Sequence, residues 1–470
     1  MNKQLSVSSK SVSVADMMDR IPVGKFHKRL LAICGSAWAF DGMEVIIISF
    51  TLPILTEAWG LSGLTAGLLG SSALLGMIAG NWIWGRFADK FGRKKAFEYT
   101  VLSYSVFAGL TAVATGFYSG FALRFLTGMG LGGALAVDMS YLSEHLPTEK
   151  RGRYLVYLDA FWPIGNILAV TLAWISLDLI STGGTVSVPF IGEVAGWRIL
   201  FASAGLPALF VFIIRRKLKE TPYYLAKTGN IDQANERIKA IAEENNSEYE
   251  PVQADKLDTE SGTGFKRLFT TQLRKRTIVA SIAWFGINFG YYGVFIWLPT
   301  TVGASGLVGN IYAYFILLGI VQIPGYLSAA YLIDKLGRKP TLGGYLILSG
   351  ISTFIFANSL PQVSILGLGI SGFWPFLIAL MAISFFGLGA WGAIYAYTPE
   401  LFPTEVRATG NGFAGGVGKI AAVLGPIIAG QLAVSGTPTL MSLTPLAVAY
   451  IVSGAVVLVF GYETKGKQLQ

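Results

Sequence analysis

Charged residues stand inside several long apolar stretches of the chain, where charge is costly. Asp41 and Glu44 lie within the segment FDGMEVIII (40–48), and Arg124 and Lys419 interrupt two other apolar stretches. Charging an acid at the centre of a bilayer costs about 2.5–3.5 kcal/mol even on insertion scales. Such residues are therefore expected to face a cavity or an oppositely charged partner.

The two acids and Arg124 are predicted to lie at one depth. Asp41 lies about 13 residues into the first apolar stretch, or about 20 Å at a rise of about 1.5 Å per residue. Arg124 lies about six residues into the fourth stretch, which enters from the opposite face, so it is about 9 Å below that face. In an apolar core about 30 Å thick, this leaves about 21 Å between Arg124 and the face at which the first stretch begins. Glu44 follows Asp41 by three residues and shares its helix face. Either acid is therefore predicted to reach Arg124.

This arrangement suggests proton coupling. Two acids that lie close together away from water cannot both ionise freely. An acid that holds a proton and faces an arginine able to release it can carry that proton. We interpret Asp41 and Glu44 as a proton-coupling pair and Arg124 as their counter-ion. The alternative is a static buried ion pair, with Glu44 in a water-filled vestibule.

Lys419 is predicted to lie near the middle of the eleventh stretch, and a buried ammonium group needs an anion. The anion is either a substrate carboxylate or a structural partner such as Asp41; a third interpretation has the side chain reaching out to the membrane surface. Residues of other stretches are candidates for the wall of a small-molecule cavity, although each alone is better explained by packing. These candidates are Trp162, Asn288, Tyr291, Tyr292, Gln322, Trp391 and Tyr395.

The elements that would position these residues are membrane helices. Of the 470 residues, 53% are hydrophobic and 13% are charged, which is not the balance of a soluble domain. About twelve stretches reach the roughly 20 residues that cross a hydrocarbon core. They are 28–52, 64–86, 96–115, 118–141, 154–178, 197–214, 278–300, 309–333, 341–360, 373–398, 411–433 and 441–461.

The basic residues predict the orientation. All 36 Lys and Arg residues except Arg124, Arg198 and Lys419 fall in the two termini, in loops or at helix ends on one side of the predicted helices. Positive charge accumulates on the cytoplasmic side. The sequence therefore predicts a multi-pass cell-membrane protein with both termini in the cytoplasm, and it explains the basic balance without nucleic-acid binding.

The chain also repeats itself. GRFADKFGRKK (85–95) is repeated in YLIDKLGRKP (331–340), and SEHLPTEKRGR (143–153) in PELFPTEVRATG (399–410). Two similar six-helix bundles can rock about a site near the midplane, as alternating access requires. The predicted organisation is an N-terminal tail (1–27), a first bundle (28–214), a cytoplasmic linker (215–277), a second bundle (278–461) and a C-terminal tail (462–470). In the linker we expect a short helix at IDQANERIKAIAEE, followed by a partly disordered acidic segment.

These repeats, together with RFLTGMGLGG (124–133), resemble the signatures of the major facilitator superfamily over essentially the whole chain. The resemblance implies an all-α fold of two pseudo-symmetric six-helix bundles that works as a monomer. It also implies a charged network that latches the two bundles together on the cytoplasmic side. The alternative interpretation is that these charged residues are solvated and only fix the membrane topology. The latch residues would be Asp89, Arg93, Glu144, Arg151, Asp334, Arg338, Glu400 and Arg407. Asp138 and Asp159 are predicted to lie near the cytoplasmic interface, and we interpret them as further members of the latch and not as substrate-binding residues.

The resemblance can be narrowed. KETPYYLAKTG (219–229) and YETKGKQL (462–469) are similar to sugar-porter signatures, but WFGINFGYYGVFIWLP (284–299) lacks the paired glutamines of those proteins. That segment looks like the nicotinate-type metabolite:proton symporters, near the synaptic-vesicle-protein-like group. FDGMEV resembles the Asp-Gly-x-Asp element of aromatic acid:proton symporters, with Glu44 in place of the second Asp. In related organic-ion transporters, a cation at the position of Lys419 is typical of those that carry anions.

We therefore expect a proton symporter of a small organic anion, with protons, a small molecule and the lipid membrane as its partners. A sugar or polyol symporter, an organic cation transporter and a transporter-like nutrient sensor are the alternatives. An enzyme is not expected, because no nucleophile–base set is visible. The two histidines, His27 and His145, lack metal-ligand spacing, so neither a metal nor a cofactor is predicted.

Overall fold

The computed structural model describes residues 12–181, 184–189, 191–253, 264–360, 372–403, 406–434 and 439–466. These residues form eighteen α-helices and one antiparallel hairpin of two strands. The strands are β1 (Thr185–Val188) and β2 (Gly192–Ala195). The helices are α1 (Val14–Arg20), α2 (Lys25–Ala58), α3 (Gly63–Phe91), α4 (Arg93–Leu110), α5 (Phe117–Ser143), α6 (Thr148–Asp159), α7 (Trp162–Trp174), α8 (Gly196–Ser203), α9 (Phe210–Lys217), α10 (Pro222–Lys227), α11 (Ile231–Glu244), α12 (Gly264–Arg267), α13 (Arg274–Ala304), α14 (Ile311–Lys335), α15 (Arg338–Ser359), α16 (Phe373–Glu400), α17 (Arg407–Val434) and α18 (Thr439–Phe460).

Twelve candidate membrane spans lie within the described residues, as the sequence predicts. Ten are single helices, and two are each built from a pair, α6 with α7 and α8 with α9. The break before α7 falls next to Pro163, and the 3₁₀ turn between α8 and α9 contains Pro207. Proline has no backbone N–H to continue a helix, so both breaks follow from the sequence. The predicted fold class is confirmed.

Glycine allows helices of the first bundle to pack backbone to backbone. A Cβ added at Gly80 of α3 would lie 1.9 Å from the Met129 carbonyl oxygen of α5. A Cβ added at Gly128 of α5 would lie 1.9 Å from the Ala73 carbonyl oxygen of α3. Because lipid gives no hydrophobic drive between helices, this close contact supplies the packing energy. It fixes α5, which carries Arg124, against α3.

The spans form an N-half (α2–α9) and a C-half (α13–α18), which meet through α3 with α17, α2 with α13, and α7 with α14. We call the face that holds α1 and residues 461–466 the terminal face, and the other the opposite face. Near the opposite face α3 and α17 touch, since a Cβ added at Gly67 would lie 2.7 Å from the Ile427 Cα. Phe50 of α2 also packs on Phe315 of α14, with ring centroids 5.2 Å apart.

Short segments cover the terminal face. The helix expected in the linker is present as α11. The chain beyond α11 returns along it, and Asn235 binds the backbone of Val252 through both polar atoms of its side chain. Residues 254–263, in the acidic segment expected to be partly disordered, lie outside the described residues.

The β1–β2 hairpin lies between α7 and α8 in the chain, and the pattern of apolar stretches did not predict it.

Candidate functional site

The terminal face of the N-half carries a charged network at the start of α4. Gly92 caps α4 with a φ of +102°, a conformation that suits glycine. The Arg93 Nε donates to Glu144 Oε1 at 3.0 Å, and Arg93 Nη1 lies 2.9 Å from Asp89 Oδ1. Glu220 accepts from the backbone N–H of Arg93 at 2.9 Å, which satisfies a free amide at the helix start. Burial raises the pKa of Glu220 despite these donors.

The C-half repeats this network. Gly337 caps α15 with a φ of +113°. Arg338 Nε donates to Glu400 Oε2 at 3.0 Å and lies 3.6 Å from Asp334 through Nη1. Glu463 accepts from the backbone N–H of Arg338 at 3.0 Å. The repeat that the sequence predicts therefore extends to single hydrogen bonds.

The ion pairs of the latch residues Arg93 and Arg338 lie within their own halves. Asp89 was expected to meet the neighbouring bundle, but it pairs with Arg93 one turn along the same half and its side chain is 61% exposed. The backbone amides at the start of α4, next to this pair, are bound by Glu220. Arg151 donates to the Leu146 carbonyl oxygen at 3.4 Å. Arg407 donates to two carbonyl oxygens at the end of α16, those of Pro399 and Phe402.

Inside the N-half, Arg124 binds Glu44 and not Asp41. Arg124 Nη1 lies 3.5 Å from Glu44 Oε2, and Nη2 donates to the Glu44 backbone oxygen at 2.8 Å. Both side chains are fully buried. Of the two ion pairs that the predicted depths allowed, the structure therefore contains Glu44–Arg124. A buried guanidinium with one carboxylate and one carbonyl is held in a fixed geometry.

Asp41 lies in a different environment. It is buried opposite the Tyr104 hydroxyl of α4 and within electrostatic range of Asp138 of α5. Neither carboxylate accepts a hydrogen bond of ordinary geometry from a described residue. The prediction that Asp138 belongs to the latch is wrong. Because α5 continues to Ser143, Asp138 lies buried inside the bundle and not at its surface.

A cavity of about 700 Å³ lies between the halves. It extends to the terminal face, where Arg86 and Asp89 of α3 and Asn411 and Gly412 of α17 line it. The same two helices touch near the opposite face, so the cavity is closed there. Its deeper wall consists mostly of aromatic side chains with two charged ones, namely Trp38, Asp159, Trp162, Trp284, Tyr291, Tyr292, Tyr326, Trp391, Tyr395 and Lys419.

Most of the predicted substrate residues line this cavity, and two do not. Asn288 donates to the Trp284 carbonyl oxygen of its own helix at 2.8 Å. Gln322 accepts from Asn166 at 2.8 Å and so joins α14 to α7. Both are buried by packing between helices. Lys419 faces the cavity and forms no ion pair with a described residue, Asp41 included.

Several cavity residues were missed by the sequence reasoning. Asp159, assigned to the latch, lies on the cavity wall three residues before Trp162, so helical spacing could have placed the two together. Trp38 precedes Asp41 by three residues and packs on Trp162, with ring centroids 6.0 Å apart. Glu220 and Glu463 stand in quoted motifs, but nothing local predicted that each caps a helix more than a hundred residues away.

Comparisons with known proteins agree with this architecture. Residues 34–470 match the family model described as sugar (and other) transporter. The chain is 33% identical over 461 residues to the niacin transporter NiaP of Acinetobacter baylyi, covering 98% of this chain and 99% of the relative. It is 34% identical over 445 residues to the putative niacin/nicotinamide transporter NiaP of Bacillus subtilis, covering 94% and 98%.

Among solved structures, the inward open conformation of the xylose transporter XylE from E. coli superposes with a TM-score of 0.72. The match covers 94% of this chain and 98% of that one at 17% identity. At that identity the likeness concerns the fold alone.

Proposed function

The chain belongs to the sugar (and other) transporter family of the major facilitator superfamily, and on this premise we propose that it carries a small organic anion, an aromatic or other carboxylate, by alternating access coupled to protons. That the protein is a membrane transporter and not an enzyme follows from the family. The substrate, the coupling ion and the residues involved are what is proposed.

The observation that carries the proposal is Lys419 on the wall of an aromatic cavity. Its ammonium group has no carboxylate partner among the described residues. Lys419 is half-buried against this mostly aromatic wall, where a cation is costly until an anion compensates it. The surrounding rings of Trp284, Tyr291 and Trp391 suit the flat apolar part of an aromatic acid. Two relatives named as niacin transporters support the same class, since niacin is an aromatic carboxylate.

Alternating access is supported by the shape of the molecule. The cavity reaches the terminal face and is closed by α3 and α17 near the opposite face. The side chains of Asp89 and Asp334 pair with Arg93 and Arg338 but are 61% and 79% exposed, so both are accessible to partners in the other half when the terminal face closes. In this proposal the terminal face is cytoplasmic, in accord with its basic residues, and the working unit is the monomer.

Proton coupling is assigned to the buried acids of the N-half. Glu44 is compensated by Arg124, whereas no cation among the described residues pairs with Asp41. For a buried carboxyl group without a cation, the protonated form has the lower free energy. Asp41 is therefore the proposed proton carrier, and the Glu44–Arg124 pair supplies the charge that responds to its protonation state.

The test is uptake by the purified full-length protein in vesicles with an imposed pH gradient. We expect accumulation of an aromatic carboxylate such as nicotinate and no accumulation of a hexose or pentose. Lys419→Ala should weaken carboxylate uptake by about tenfold or more, because the ammonium group is lost. The buried-polar control Asn288→Ala, which leaves the cavity wall intact, should keep uptake within about threefold of wild type.

A sugar symporter is the second candidate, and the family description is the observation that favours it. In that case the vesicles would accumulate sugar and not carboxylate. Lys419→Ala would then alter folding stability and leave the choice of substrate unchanged.

A further inference from the structure

The cavity holds a second charged side chain that the proposed function does not use. Asp159 ends α6 in the N-half, is 2% exposed, and lines the cavity together with Lys419 of the C-half. Neither side chain forms an ion pair or hydrogen bond with a described residue, and no ion pair joins the two. We infer that Asp159 and Lys419 are the two poles of one binding site, for an aromatic carboxylate that also carries a positive charge or an N–H donor on its ring.

The carboxylate pole follows from Lys419, as argued above, so this inference rests on the proposed function. The other pole follows from the surroundings of Asp159. The polar groups that face it from the C-half are the hydroxyls of Tyr326 and Tyr395, and neither donates a hydrogen bond to it. No described cation compensates it. A ligand with a positive ring or a donor supplies the missing partner.

The cavity that holds both poles has a mostly aromatic wall. Trp162 follows Asp159 by three residues, and its Nε1 donates to the Tyr291 hydroxyl at 3.3 Å, which bridges α7 and α13. The ring centroids of Trp284 and Trp391 are 5.9 Å apart on the C-half side. A flat ring fits against such a wall, and a positive ring gains further from the aromatic faces. Charge at both ends and rings in the middle therefore match a single small molecule.

The two poles lie in different halves, and this gives the ligand a mechanical role. A ligand that contacts both Asp159 and Lys419 compensates one charge in each half and ties the halves together through itself. A simple anion compensates Lys419 only and leaves Asp159 without a partner. The site is therefore selective for the doubly functional ligand, with at least a tenfold preference expected.

The experiment is equilibrium binding by calorimetry to the purified full-length protein. The probes are benzoate, which has only the carboxylate, and N-methylnicotinate, which adds a permanent positive charge in a ring of the same size. We expect wild type to bind N-methylnicotinate at least tenfold more tightly than benzoate. In Asp159→Asn the ratio should fall to within twofold, with the affinity for benzoate unchanged or higher. Asp178→Asn, which removes an exposed acid of the same span, should keep the wild-type ratio.

The outcomes separate this inference from the proposed function. If wild type binds the two probes equally, or if Asp159→Asn weakens both by one factor, the second pole is wrong while carboxylate binding stands. If wild type binds neither probe, the proposed function itself fails. The wild-type ratio decides without any variant, and Asp159→Ser gives a second test if the asparagine variant does not fold.

Discussion

At the terminal face the two halves carry the same arrangement, and in the interior they do not. Arg93 with Glu144 in the N-half and Arg338 with Glu400 in the C-half are joined at 3.0 Å in each case. In the interior, the N-half holds four buried acids and Arg124, whereas the described C-half places only Lys419 in the corresponding region.

This difference shows which features the two repeated halves share and which differ between them. The terminal-face networks hold helix ends in each bundle, so both copies need them for the same mechanical reason. The interior faces one shared cavity, and a single cavity needs each chemical group once. In the proposed site, Asp159 on one side and Lys419 on the other are complementary parts, which two identical halves could not provide.

The strongest test of this division is Asp41→Asn. If the N-half supplies proton coupling, the variant should lose accumulation driven by a pH gradient, because its amide takes up no proton. Exchange of labelled for unlabelled substrate should partly remain, since that process needs no net proton movement. Both are measured in the same vesicles, with Asp178→Asn as the control. Accumulation like that of wild type would remove Asp41 from the coupling mechanism.

A second test compares the interior cations. Arg124→Met should lower the free energy of unfolding by about 3–5 kcal/mol, because it leaves Glu44 buried without its partner. Lys419→Met should leave stability unchanged or raise it, because no described carboxylate loses a partner. Thermal unfolding of the ligand-free proteins measures both. Equal losses would mean that Lys419 is a structural residue like Arg124.

A third test uses a place where the terminal faces differ. His145 in the N-half corresponds to Leu401 in the C-half, by the same offset that relates Glu144 to Glu400. The His145 Nδ1 donates to the Tyr141 carbonyl oxygen at 2.8 Å, and Nε2 has no partner among the described residues. Burial lowers the pKa of His145 to about 3. The folded protein therefore holds this ring neutral at pH values where the unfolded chain protonates it.

The sign of the pH effect follows. Below about pH 6.5 the unfolded state takes up a proton that the folded state refuses, so stability falls as the pH falls, by about 2 kcal/mol at pH 5. His145→Leu should remove this part of the slope in thermal unfolding between pH 7.5 and pH 5. The raised pKa of Glu220 acts with the opposite sign, but it is present in both proteins and cancels in the comparison. An unchanged slope in the variant would show that His145 is not the source.

The sequence predicted what depends on local pattern and missed what depends on distant contacts. Hydropathy predicted twelve spans. Arithmetic on helical rise placed Arg124 at about the depth of Asp41, with Glu44 one helical turn away, and the structure pairs Arg124 with Glu44. The arithmetic could not decide between Asp41 and Glu44, since that choice depends on how α2 is rotated against α5. Asp138 and Asp159 were placed too near the membrane surface for a related reason. Distance along a helix was counted, but the point where each helix leaves the bundle was not known.

The last test concerns the helix caps that the sequence did not reveal. Glu220 and Glu463 each accept backbone N–H groups at the start of a helix, α4 or α15. A carboxylate at this position compensates free amides and the positive end of the helix dipole. Glu220→Gln and Glu463→Gln should each cost about 1 kcal/mol of stability, and the two losses should be equal within error.

Equality is the informative part of that measurement. Both caps bridge a helix start to the chain that follows the last span of the half, so the same substitution breaks the same contact twice. Stability is read from thermal unfolding near neutral pH, with Glu248→Gln in an exposed stretch as the control. A loss confined to Glu220 would mean that the linker beyond the N-half, and not the repeated network, stabilises the terminal face. The two halves would then share the geometry of the network at the terminal face, but the network would contribute to stability in the N-half only.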